Sequence, residues 1–266
     1  MSYLDVFKRY ELKYILTAKQ KDLLLEAMDG YMQLDGYGKT TIRNIYYDTS
    51  DMRLIRNSLD KPEYNEKLRV RSYRQVKEHD DVFVEIKKKY DGVVYKRRAE
   101  MSLKEAEDYL YKGIHPQIDT QIMRELDWFL KTNPVQPAVY LAYDRRAYAG
   151  ILEPEFRLTL DRNIRARYKQ LKLTDGAVGE SVIPENMTLM EIKIPGAMPF
   201  WMARLLSDMQ LFPVSISKYG TYYKDHPELV MSAVNNHKKY FDPANDVVAI
   251  DAARSRKARN MDKAGV

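Results

Sequence analysis

Lys67-Leu68-Arg69-Val70-Arg71-Ser72-Tyr73-Arg74 is the stretch on which the fold turns. Side chains two apart in a strand share a face. Leu68 and Val70 therefore lie on one side, and Arg69, Arg71 and Tyr73 on the other. The run 82–89 repeats the pattern, with Val82, Val84 and Ile86 opposed to Phe83, Glu85, Lys87 and Lys89. In 92–100, Lys96 and Arg98 share a face, and Asp91-Gly92 supplies the residues of a tight hairpin turn. Working outward, Arg9, Glu11 and Lys13 alternate in a first strand at 5–16. Tyr143 and Arg145 do so in 138–149, Arg157, Thr159 and Asp161 in 155–167, and Glu191 and Lys193 in 188–194.

One such strand is ordinary, because a half-buried strand always has a wet face. Seven agreeing strands are not. An exposed face mixes Thr, Ser, Gln, Glu and Lys. Here Arg and Lys dominate, and like charges stand two apart or across neighbouring strands, where they repel. A bound polyanion relieves that repulsion, and arginine suits paired hydrogen bonds to phosphate oxygens. With a further strand at 41–49, the pattern predicts an α+β protein: a closed antiparallel eight-stranded β-barrel with flanking helices and a basic lumen that binds phosphates. Helices are predicted at 18–31 after Thr17, at 51–59, from the capping box Ser102-Leu103-Lys104-Glu105, at 118–132, at 198–209 and up to about 239. The acids on the charged face are Glu11, Glu85, Asp161 and Glu191. Either they hold Mg²⁺ or Mn²⁺, which take one or two carboxylates beside phosphate oxygens and water, or they pair with neighbouring Arg and Lys.

The 266 residues carry 44 basic and 38 acidic side chains and no cysteine, which excludes disulfides, thiolate zinc sites and cysteine nucleophiles. No run of about 18 apolar residues is present, so no transmembrane helix is expected. The start Met1-Ser2-Tyr3-Leu4-Asp5 lacks a signal-peptide pattern, and a cytoplasmic location is expected. No Pro/Gly/Ser-rich linker divides the chain. We expect one domain over 1–240 and a loosely ordered basic tail over 241–266, containing Arg254, Arg256, Lys257 and Arg259.

Other signals fail. Gly36-Tyr37-Gly38-Lys39-Thr40 resembles the end of a phosphate-binding P-loop, but Gln33 stands where that motif needs glycine, and the segment precedes a strand instead of opening a helix. His79, His115, His226 and His237 have no metal-ligand spacing. The 21 tyrosines are read as core packing instead of a base-stacking surface, so nucleic acid is not expected as a partner.

Arg9-Tyr10-Glu11-Leu12-Lys13-Tyr14, Asn44-Ile45-Tyr46-Tyr47-Asp48-Thr49, Leu68-Arg69-Val70-Arg71, Glu85-Ile86-Lys87, Tyr143-Asp144-Arg145, Arg157-Leu158-Thr159-Leu160-Asp161, Met190-Glu191-Ile192-Lys193 and Ser217-Lys218-Tyr219 resemble, in this order, the VTC domain. That is the catalytic domain of vacuolar transporter chaperone polyphosphate polymerases, within the CYTH-like triphosphate tunnel metalloenzymes. The resemblance implies a tunnel that binds ATP and grows polyphosphate with Mn²⁺ or Mg²⁺. It implies that Lys13, Arg69, Arg71, Lys87, Lys96, Arg145 and Lys218 hold phosphates and that Glu191 binds the metal, with Glu85 a second candidate ligand. Tyr143 and Ser217 would contact phosphate or nucleotide, and Arg9, Glu11, Lys89, Arg98, Arg157 and Lys193 belong to the expected substrate-binding set. Hydrolytic relatives open with Glu-x-Glu-x-Lys. Arg9-x-Glu11-x-Lys13 lacks the first carboxylate, which favours the polymerase branch over a two-metal hydrolase. Ser215 replaces a basic residue common in the eukaryotic polymerases. The SPX domain and membrane segments of those proteins are not matched, which implies a stand-alone version with any membrane-associated partner unknown. The competing readings are a triphosphatase in the same tunnel, a polyphosphate-binding module without turnover, and RNA binding through the basic face and tail.

Overall fold

The computed structural model describes residues 10–91 and 93–229. Nine strands are β1 (Tyr10–Leu16), β2 (Met32–Thr49), β3 (Tyr64–Ser72), β4 (Asp81–Tyr90), β5 (Val93–Ser102), β6 (Val135–Gly150), β7 (Arg157–Arg167), the two-residue β8 (Glu180–Ser181) and β9 (Thr188–Ile194). Six helices are α1 (Ala18–Ala27), α2 (Arg53–Leu59), α3 (Leu103–Lys112), α4 (Gln121–Thr132), α5 (Phe200–Asp208) and α6 (Lys218–Asp225). Arg9, the expected basic tail and the last part of the predicted helix to 239 lie outside the described residues.

Local chemistry accounts for the element ends. Thr17 and Ser102 each form a reciprocal capping box, with Gln20 and Glu105, at the starts of α1 and α3. Gly113 ends α3 at a φ of 64°, a conformation that costs glycine little. Asp91, at a φ of 44°, turns β4 into β5. The Gly36–Thr40 segment lies inside β2, which starts nine residues earlier than the sequence pattern placed it.

The strands form one antiparallel sheet in the order β1-β9-β7-β6-β2-β3-β4-β5, with β8 added to β7. No ladder among the described residues joins β1 to β5, so the expected closed barrel is corrected to an open, tunnel-like sheet. Alternation reports which way each side chain points. It carries no information about whether the two outermost strands meet, because closure depends on tilt and stagger summed over the whole sheet.

The sheet has apolar layers on both faces. On the convex side, Leu68, Val70, Val82, Val84 and Ile86 pack with α3 and α4. Leu158, Leu160, Met190 and Ile192 pack with α1 and α5. Burying one such side chain stabilises the fold by roughly 1.5–3 kcal/mol. On the concave side, Val139, Leu141, Ile164 and Leu189 pack against α2 and α6 through Ile55, Tyr219 and Tyr222. The rest of the concave face carries the charges.

Candidate functional site: a cationic tunnel

A cavity of about 480 Å³ occupies the concave face, bordered by strands from both ends of the sheet. β1 contributes Glu11 and Lys13, β3 Lys67, Arg69 and Arg71, β4 Lys87, and β5 Lys96. Tyr46 comes from β2, Arg145 from β6, Glu191 and Lys193 from β9, and Ser217 and Lys218 from the start of α6. Nine cationic side chains and two carboxylates therefore share one wall. A second cavity of about 510 Å³ shares Glu11, Lys67, Lys87 and Ser217 with the first and adds Lys61, Lys89 and Lys224.

All seven residues expected to hold phosphates border the first cavity, as do Glu11, Lys193 and Ser217; Lys89 borders the second. Tyr143 stands just behind the wall. Its hydroxyl accepts from Arg71 Nη2 at 3.2 Å, and its ring lies 4.7 Å from Lys218 Nζ. Two of the expected residues border neither cavity. Arg157 is exposed and donates to the carbonyl of Pro154, because it sits at the outer end of β7. Arg98 is held by Glu85 and the Tyr73 hydroxyl and does not border either cavity. Tyr46 and Lys67 were missed. Lys67 was legible, two residues before Arg69 in the alternating run. Tyr46 was hidden among tyrosines read as core.

The charges fall into three groups. In the first, Arg145 Nε and Nη2 donate to Asp161 at 2.6 and 2.7 Å, and Nη2 also reaches Glu191 at 3.0 Å. Lys218 Nζ lies 2.7 Å from Asp161 and 2.8 Å from Glu191. Burial pushes the Glu191 carboxyl up, but the charges of Lys218 and Arg145 outweigh it and hold the group well below the ordinary range. In the second, Glu85 is 1% exposed, and its two oxygens accept from Arg69 at 2.9 Å and Arg98 at 2.8 Å. Surrounded by cations, it is a counter-ion in the wall and does not border the cavity. The third group is Lys67, Lys87 and Lys193, which make no ion pair within 4 Å among the described residues. Burial lowers Lys67 to about 8, with Lys87 and Lys13 adding repulsion and Tyr46 opposing it. Burial, then Arg145, lowers Lys193 to about 8. Burial raises Tyr46, but Arg69, Arg71 and Lys67 bring it down to about 8.

α6 carries Ser217 and Lys218 into this site, and its seat is fixed from behind. Asp48, fully buried at the end of β2, accepts from the backbone N–H groups of Thr49, Leu54 and Ile55 and from the Tyr219 hydroxyl at 3.0 Å. The Tyr219 ring stacks on Tyr46 at 4.8 Å. Gly220 lets α6 approach α2, since a Cβ there would stand 2.8 Å from Leu59 Cδ2.

No group of three His, Asp or Glu side chains able to hold a metal occurs among the described residues. Glu191 and Glu11, on either side of Lys13 at 3.9 and 3.3 Å, nevertheless fit the protein's share of a hard divalent cation whose other ligands are phosphate oxygens and water.

An antiparallel tunnel-like sheet with a cationic concave face is an architecture suited to binding a polyanion. The chain belongs to the VTC domain family, whose model matches residues 8–225. Among solved structures, it resembles a "putative adenylate cyclase" of Bacillus halodurans at 15% identity and a TM-score of 0.50, over 80% of this chain and 94% of that one. It also matches the PH1819 protein of Pyrococcus horikoshii at 14% identity and a TM-score of 0.34, over 76% and 86% of the two chains. No curated protein sequence matches it. No helix among the described residues is long and apolar enough to cross a membrane.

Proposed function

We propose that this protein is a polyphosphate polymerase that transfers the γ-phosphoryl group of ATP to a growing chain. The observation that carries the reading is the excess of cations: Lys67, Lys87 and Lys193 make no ion pair within 4 Å among the described residues, and Arg69, Arg71, Lys96 and Arg98 share the single carboxylate of Glu85. Buried like charges of this kind are costly unless a polyanion joins them. The triphosphate lies along the cavity, with Arg69, Arg71 and Lys87 on its oxygens and Lys13, Arg145 and Lys218 on the side of Glu191. These donors are fixed in advance by Glu85, Asp161 and Glu191, so they need no reorganisation as charge moves.

Phosphoryl transfer asks for positioning and charge stabilisation more than for covalent help. The attacking group is a terminal phosphate oxygen of the chain. A P–O bond forms between that oxygen and the γ-phosphorus, the bond from the γ-phosphorus to the β-bridging oxygen breaks, and ADP leaves. The nucleophile is already anionic and no proton has to be removed, which suits a site with no histidine. Mn²⁺ or Mg²⁺ held by Glu191, with Glu11, would supply further neutralisation of phosphate charge. Arg9 in place of a carboxylate favours this reading over a two-metal triphosphatase.

The test is incubation of purified protein with ATP and Mn²⁺, followed by a gel for polymer and an assay for orthophosphate. Long acid-labile polymer is the expected product. Orthophosphate alone would make the protein a triphosphatase, and tight triphosphate binding without turnover would make it a binding module.

A further inference from the structure

We propose that the Tyr73 ring, held by Phe83 and Arg98 just past the end of β3, is the platform on which the base of a bound nucleoside triphosphate stacks. The inference takes from the polymerase reading only that the substrate is a nucleoside triphosphate. The strand register gives the tunnel two unlike ends. Asn65 stands opposite Lys89, and this row borders the second cavity, where Lys61 and Lys224 add further charge. At the other end Arg71 stands opposite Phe83, and Phe83 opposite Glu100. The row there holds one cation, one aromatic ring and one exposed carboxylate. A polyphosphate running on past Arg71 would meet that carboxylate and be repelled, whereas an uncharged nucleoside would not. Tyr73 lies two residues beyond Arg71, on the same face of the strand.

The ring is fixed in place before any ligand arrives. Arg98 Nη2 donates to the Tyr73 hydroxyl at 2.7 Å, and Arg98 Nε is itself anchored on Glu85 at 2.8 Å. Phe83 meets Tyr73 edge to face, with centroids 5.6 Å apart, and the Arg98 guanidinium lies 4.3 Å from the Phe83 centroid. Despite these supports Tyr73 is 39% exposed, so ring surface remains open to a partner. Its centroid is 6.0 Å from the guanidinium carbon of Arg71, which borders the first cavity. A nucleotide whose phosphates lie on Arg71 therefore brings its base to Tyr73. Stacking on an aromatic ring suits any base, and the nearby guanidiniums strengthen the contact. A role confined to holding Arg98 needs only the hydroxyl and leaves the exposed ring unused.

The test is calorimetric titration of the full chain with β,γ-imido-ATP and, separately, with tripolyphosphate, as wild type, Tyr73→Leu and Tyr73→Phe, with melting curves confirming folding. Tyr73→Leu is expected to lose roughly tenfold in affinity for the nucleotide and to keep its affinity for tripolyphosphate. Tyr73→Phe, which keeps the ring and loses the same hydroxyl, is expected to bind both ligands as the wild type does. Equal changes for the two ligands in Tyr73→Leu would overturn the proposal, and so would a Tyr73→Phe variant as impaired as Tyr73→Leu. Proton NMR of the wild type needs no variant to fold: the adenine H2 and H8 resonances of the nucleotide should move upfield on binding, and unmoved resonances, or no binding of the nucleotide, would overturn it as well. A wild type that makes no polymer from ATP yet gives the expected titrations leaves the platform standing and refutes only the polymerase reading.

Discussion

Lys87 and Arg145 border the same cavity, but their surroundings differ. Lys87 makes no ion pair within 4 Å among the described residues, and Lys87→Ala removes both its attraction for the Glu11 carboxylate and its repulsion of Lys67 and Lys193, which oppose each other. It should keep the wild-type melting temperature and lose triphosphate affinity, as titration and thermal melting would show together. Arg145→Ala leaves Asp161, which is fully buried, with only Lys218. That variant should lose about 3–5 kcal/mol of stability as well as binding. The unpaired lysines also set a pH dependence. Lys67 and Lys193 fall from 10.5 to about 8 on folding, so the ligand-free protein gives up protons and gains stability as pH rises through that window. Bound phosphates favour the charged lysines, so triphosphate affinity should fall over the same rise. Tyr46, brought down to about 8, adds a phenolate and acts in the same direction. Calorimetry in buffers of different ionisation enthalpy should register proton uptake on binding near pH 8, roughly where these groups titrate. Zero uptake would contradict the unpaired state of the two lysines.

α6 is the element whose placement matters most to the chemistry. Its first residues, Ser217 and Lys218, border the cavity, while Tyr219 and Gly220 face the support behind them. Tyr219→Phe removes one hydrogen bond to the buried Asp48 carboxylate, a loss of about 1.5–3 kcal/mol. The expected outcome is a folded protein whose kcat falls more than its KM for ATP rises, because Lys218 and Ser217 are displaced while Arg69, Arg71 and Lys87 still bind. A parallel loss at both parameters would mean that Tyr219 is only structural.

At the scale of the molecule, the sheet separates stability from binding along each alternating strand. Ile86, fully buried on the convex side, and Lys87, on the tunnel wall, are neighbours in sequence with opposite tasks. Ile86→Ala should cost about 2–5 kcal/mol while leaving triphosphate affinity intact below its lowered melting temperature. Lys87→Ala should show the reverse. Denaturant melts and titrations on the two variants check the pair, and loss of both properties in each would mean that the faces are not independent. The alternation that makes this prediction possible was legible in Leu68–Arg71 and Val82–Lys89 before any fold was known. Closure was not, since β1 and β5 are the ends of the sheet and no local pattern records how far apart they finish.

The sequence alone determined the side of the sheet on which each strand residue falls, since a period of two is a property of the extended backbone and needs no partner. That was enough to bring Lys13, Arg69, Arg71, Lys87, Lys96 and Arg145 to one cavity, whereas Lys218, at the start of α6, was implied only by the family resemblance. Only the tertiary structure decided which of those charges are neutralised. Glu85, Asp161 and Glu191 choose their partners across strands far apart in sequence, and a Coulomb interaction depends on distance in space. For the same reason Glu85 became a counter-ion to Arg69 and Arg98.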